Sequence, residues 1–250
     1  MSTLRTRSGG LLLAAALLGL AITTTHTTSA ESDAAPLGPD TAVAVEVTRG
    51  SPAAVADLAA ARPGAAPATE PDVARARELL AALPVRVEDT GAHYDRDQWG
   101  DWTTGVGGCD TREIVLIRDG RDVERGPGCR VMGGIWISPY DGAHTTTPSR
   151  VQIDHRVPLA EAQRSGARHW SRAQRVAFYN DPANLVAVSA RANTSKGDQD
   201  PGQWRPTRRD AWCGYAAAYI TTKHTWRLHI DPAEHAGLVA MLNTCPGGHR

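Results

Sequence analysis

Polar and apolar positions are most sharply patterned between residues 151 and 201. Val151-Gln152-Ile153 runs apolar, polar, apolar, the period of a half-buried strand, and Asp154 and His155 fall where that strand would end. Pro158 stops it and fixes the exit. The run from Leu185 to Val188 suits a second, buried strand. Ser189 is placed to cap a short helix behind it, and Asn193 and Lys196, three apart, share one face of that helix. Gly197 can end the helix, and Asp200-Pro201 marks a turn. The pattern predicts strand, strand, helix. Helical segments over 159–167 and 172–180, joined by His169-Trp170, lie between the two strands.

Upstream, Arg5 and Arg7 precede an apolar run from Leu11 to Ile22, and Thr28-Ser29-Ala30 offers small residues for cleavage. Residues 1–30 therefore read as a secretory signal peptide. The run is shorter than the ~20 residues that span a bilayer, so no stable membrane association is expected. Residues 31–70 are rich in Ala and Pro and read as a linker, with one patch of strand character, TAVAVEV. Residues 71–250 are long enough for a single domain with a sizeable core.

That domain opens with a helix after Pro71-Asp72, using Ala74, Leu79, Leu80 and Leu83, and Pro84 ends it. Tyr94, Trp99 and Trp102 are read as core, the alternative being platforms for base stacking. Residues 113–117, EIVLI, are read as a strand, followed by an Asp119-Gly120 turn. Residues 133–138 are expected to pair with it, before a turn over 139–142. Two helices close the chain, one around 213–222 and one from Asp231-Pro232 to Cys245.

Charge changes this picture locally rather than globally. Removal of residues 1–30 leaves 25 basic and 27 acidic side chains. Between Arg150 and Arg227, however, 13 Lys and Arg face 6 Asp and Glu, a local excess that would suit phosphate groups or simply a solvated surface. Only two of the 27 basic residues are lysines, Lys196 and Lys223. Four cysteines, Cys109, Cys129, Cys213 and Cys245, are an even set behind an export signal, which favours disulfides over a zinc site. Four cysteines allow three pairings. The reading preferred here is Cys109–Cys129 with Cys213–Cys245, each closing a local loop.

The candidate chemistry sits at Asp154-His155 and Asn193. A carboxylate and an amide oxygen are hard ligands that suit Mg²⁺ or Mn²⁺, while an adjacent imidazole can take a proton from water. Adjacent strand residues point to opposite faces, so the two would act from either side of one phosphate. The bland alternatives are an Asp154 that caps the Pro158 turn, a satisfied buried His155, a structural Asn184 and a solvated Lys196.

The ordered set Asp154-His155, Asn184-Leu185 and Asn193-Thr194-Ser195-Lys196 resembles the HNH, or ββα-metal, nuclease signature. The flanking stretches PYDG, DHRVPLAEA, SGARHW and NTSKGDQDP resemble secreted HNH-like proteins related to the C-terminal domain of GmrSD restriction enzymes. The resemblance spans residues 79–245. It implies an α+β fold: a ββα-metal core with a helical insertion, flanking strands, C-terminal helices and disulfide staples. It also implies Asp154 and Asn193 as metal ligands, His155 as general base, Asn184 holding the loop that orients the base, and Lys196 near the phosphate. Asn193 stands where some relatives carry a metal-binding His, which weakens any expectation of zinc or nickel. The CxxC pairs that hold structural zinc in many relatives are missing from this sequence.

Arg112 is a further candidate to grip the scissile phosphate, against an internal ion pair with Asp110 or Glu113. Arg208 and Arg209 are candidate backbone contacts. The expected activity is metal-dependent endonucleolytic hydrolysis of nucleic acid, DNA first and RNA second, by a secreted monomer. The alternatives are an extracellular binding protein on an HNH-like scaffold and a metal-dependent hydrolase of another phosphate ester or cell-wall substrate.

Overall fold

The computed structural model describes residues 72–246, residue 92 excepted. The expected signal peptide over 1–30, the linker over 31–70 and the TAVAVEV patch lie outside the described residues. The elements run α1 (Val73–Ala82), α2 (Thr111–Asp119), β1 (Arg121–Arg125), β2 (Val131–Ile137), β3 (His144–Thr145), β4 (Val151–His155), α3 (Leu159–Arg164), α4 (Arg172–Tyr179), β5 (Leu185–Ser189), α5 (Ala190–Lys196), α6 (Trp212–Thr225) and α7 (Pro232–Leu242). This is an α+β fold. One antiparallel sheet has the order β1-β2-β3, and β4 and β5 form a separate antiparallel pair.

The ββα unit forms where the pattern predicts it. β4 and β5 pair without a break from Val151 opposite Ser189 to His155 opposite Leu185. The Ser189 hydroxyl accepts from Ala192 N at 3.1 Å, satisfying a donor that the first turn of α5 would otherwise leave free. Gly197 follows α5 at φ 55°, a backbone setting that glycine adopts without a Cβ penalty.

The pair lies between two cores. Val151, Leu185 and Ala187 pack with Val115, Leu116, Val131 and Trp136 of α2 and β2. Val186 and Val188, on the other face, join the larger core of α1, α6 and α7 and an aromatic group around Trp99 and Phe178. Alternation thus buries both faces of β5, whose first four residues are all buried.

One predicted element changes type. Residues 113–117 are not a strand but part of α2. Asp110 caps that helix, accepting from Glu113 N at 2.8 Å. A four-residue apolar run has no periodicity that separates strand from buried helix, and the cap decides it. β2, expected to pair with those residues, pairs instead with the charged strand β1. α2 lies against β2 through Trp136 Nε1, which donates to Leu116 O at 2.9 Å. Both expected disulfides, Cys109–Cys129 and Cys213–Cys245, are present. Among the described residues, no helix is long and apolar enough to cross a membrane.

Candidate active site around the Asp154-His155 pair

Antiparallel partners share a face, so the pairing decides where each side chain at the end of β4 goes. His155 lies opposite Leu185 and Asp154 opposite Val186, which places them on opposite faces of the pair. His155 packs among aromatics. Its ring is parallel to Trp102, with centroids 5.9 Å apart, and tilted against Tyr179 at 4.8 Å. His155 Nε2 lies 2.8 Å from the Tyr179 carbonyl. A carbonyl only accepts, so Nε2 carries the hydrogen and Nδ1 keeps a lone pair. Nδ1 has no hydrogen-bond partner among the described residues. Burial pushes the imidazole down to about 3, with the Arg96 and Lys196 charges acting in the same direction. His155 is therefore neutral at neutral pH.

Arg96 was not singled out from the sequence, and no local spacing announces it. It reaches this site from a turn over Arg96–Trp99, donating to the Tyr179 hydroxyl at 2.7 Å with its guanidinium over the ring. Trp102 packs against both cores, as expected, and its partly buried ring also lies against Tyr179 and parallel to His155.

Asp154 has different company. It is 5% exposed, and both carboxylate oxygens are engaged: Oδ1 accepts from Lys196 Nζ at 2.9 Å and Oδ2 from the Tyr140 hydroxyl at 2.7 Å. Lys196 is fully buried and also donates to the His155 carbonyl at 2.8 Å. Burial lowers the Lys196 pKa while Asp154 pulls it back. One ammonium thus ties the Asp154 side chain to the His155 backbone. Asn193 lies on the Asp154 face, where its Nδ2 donates to Gln152 Oε1 at 2.7 Å. Its Oδ1 has no hydrogen-bond partner among the described residues.

Asn184 is buried and clasps the segment leaving β4. Its Oδ1 accepts from Val157 N at 2.9 Å, its Nδ2 donates to Val157 O at 3.1 Å, and its own carbonyl accepts from Arg156 N at 2.8 Å. Arg112 donates to the carbonyls of Pro148 and Val151, so it buttresses the entry to β4. Arg208 pairs with Asp210, and Arg209 lies over the Trp212 ring. Among the described residues, Arg112, Arg208 and Arg209 make these contacts and none to the His155 ring. Apart from this site, oxygens of Glu88, Asp200 and Asp231 lie within 4.8 Å of one another.

Residues 135–241 match the family model described as the C-terminal domain of GmrSD restriction endonucleases. An "Uncharacterized secreted protein" of Arthroderma benhamiae is 43% identical over 194 residues, covering 77% of this chain and 95% of that relative. No solved structure matches the chain.

Proposed function

Because the chain belongs to the family of the GmrSD restriction endonuclease C-terminal domain, which is nuclease-related, we propose that it is a secreted endonuclease hydrolysing phosphodiester bonds, DNA most directly. The observation that carries the reading is the His155 tautomer. The Tyr179 carbonyl holds Nε2–H and leaves a neutral, unpartnered Nδ1 as a base. In the reaction, a water oxygen attacks phosphorus, its proton passes to His155 Nδ1, and the leaving sugar oxygen is protonated from solvent. Arg96 supplies positive charge beside the ring, and Asn184 fixes the backbone just past the base.

Asp154 and Asn193 are the residues that would hold a divalent cation, Mg²⁺ or Mn²⁺. Their oxygens are of the hard type that such ions take, and the Asn193 oxygen is free. To hold the ion, Asp154 would have to offer it a carboxylate oxygen that Lys196 or Tyr140 now engages. The ion would neutralise charge on the phosphoryl and leaving oxygens.

The test is plasmid nicking by the purified chain across divalent ions. His155→Ala should abolish nicking while leaving the fold intact. Full activity in excess chelator would remove the metal from the reading. A second reading, a binding protein on this scaffold, is favoured by the engagement of both Asp154 oxygens. Its mark is tight nucleic-acid or protein binding with no cleavage under any ion.

A further inference from the structure

Away from His155, the turn after α5, the N-terminus of α7 and the segment after α1 bring Asp200, Asp231 and Glu88 together. Their immediate surroundings are strongly acidic. Glu161 and Glu234 lie beside them, and the cations present are Lys223 and Arg164. Those cations are committed. Lys223 Nζ bonds Glu161 Oε1 at 2.5 Å and Glu234 Oε1 at 2.9 Å, and Arg164 bonds Glu88 Oε1, Glu161 Oε2 and Asp198 Oδ2.

Asp200 is the independent observation. It is 1% exposed; Oδ1 accepts from Gly202 N at 2.6 Å, while Oδ2 is buried with no hydrogen-bond partner among the described residues. A buried carboxylate oxygen left bare is costly, and each such group calls for an explanation. Asp231 spends Oδ1 on capping α7 through Ala233 N and Glu234 N.

We propose that Glu88, Asp200 and Asp231 form a calcium-binding site distinct from the His155 centre. The three oxygens lie within 4.8 Å of one another, so they can converge on one cation, and calcium's flexible coordination takes an irregular set of carboxylates more readily than the near-ideal octahedron that magnesium demands. The ligands are all carboxylates, the hard oxygen type that calcium takes in number. Their scaffold is close-packed: a Cβ on Gly237 of α7 would collide with the Pro201 carbonyl, so the helix is held hard against the turn that carries Asp200. The ion would pin α7 and the segment after α1 to the end of the ββα unit.

The test is calorimetric titration of calcium into chelator-stripped full-length protein, with thermal unfolding followed in parallel. Calcium should bind with a stoichiometry of one and raise the melting temperature by several degrees. Glu88→Gln, which leaves the α7 cap and the buried Asp200 in place, should weaken calcium affinity at least tenfold. Asp200→Asn should abolish the calcium-dependent rise in melting temperature. Absence of binding at millimolar calcium, or an unchanged affinity in Glu88→Gln, overturns the proposal. Magnesium at equal concentration should produce the smaller shift, and an equal or larger one overturns the assignment to calcium.

Discussion

Replacing Lys196 by Met keeps the length of the side chain and removes its charge. The Asp154 carboxylate, 5% exposed, would then retain only the Tyr140 hydroxyl, and the His155 carbonyl would lose its donor. Breaking a buried pair by removing one partner costs about 3–5 kcal/mol, because the remaining charge stays desolvated. For a domain of this size each kcal/mol moves the melting temperature by about 2–4 °C, so Lys196→Met should melt about 6–20 °C lower. Adding Asp154→Asn removes the stranded charge and should recover part of the loss, giving a coupling energy in a double-mutant cycle. The sign with pH is also fixed. In Lys196→Met the stranded carboxylate binds its proton more tightly folded than unfolded, so its penalty is full at neutral pH and fades as pH falls toward about 4. Urea unfolding at pH 7 and pH 4 measures this. A variant within 1 kcal/mol of the parent at pH 7, or a deficit that grows on acidification, would refute the account of Lys196 as the counter-charge of Asp154.

Three further outcomes follow from the same geometry. With the His155 imidazole held down to about 3, nicking should persist at pH 5, where an ordinary imidazole of pKa about 6.5 is nearly all protonated; a rate that titrates away near 6.5 contradicts the half-buried, neutral ring. The same depression means that the unfolded chain takes up this proton first, so His155 costs stability as pH falls from about 6.5 toward 3, and His155→Gln should flatten the acid side of the stability curve in that window. Asn184→Ala strands the buried N–H and C=O of Val157, which at about 1–3 kcal/mol for each unsatisfied group predicts a loss of about 2–6 kcal/mol in urea unfolding. A loss below 1 kcal/mol would mean that other donors take over the clasp.

What the sequence disclosed was whatever is local. β4, β5 and α5 each carry their own period, and Ser189 and Gly197 mark the ends of the helix within seven or eight residues. The apolar run 114–117 failed the same test because four residues hold barely one helical turn, and the deciding cap, Asp110, lay outside the run. The site was disclosed only as a set of residue types. That Lys196 would face Asp154 depends on a contact across 42 positions, and Arg96 and Trp102 reach His155 from a loop with no period at all. The acidic group of Glu88, Asp200 and Asp231 is likewise assembled by packing, from three segments with no common motif.

Lysine usage carries a final argument. The chain places arginine at nearly every basic position, yet its only two lysines, Lys196 and Lys223, are both fully buried against carboxylates. A surface that needs only positive charge accepts either residue, but a closed pocket does not. An ammonium is a compact point charge with three donors, whereas a guanidinium is a larger planar fork. Lys223 illustrates the fit: its Nζ meets Glu161, Glu234, the Ser165 hydroxyl at 3.0 Å and the His229 carbonyl at 2.9 Å, on different sides. Lys223→Arg therefore keeps the charge but overfills the pocket, and overpacking costs typically about 1–3 kcal/mol. Lys223→Met keeps the volume but strands two carboxylates, and should cost more. Chemical unfolding of the two variants beside the parent separates shape from charge. If Lys223→Arg were as stable as the parent, charge alone would govern these pockets and the preference for lysine there would need another cause.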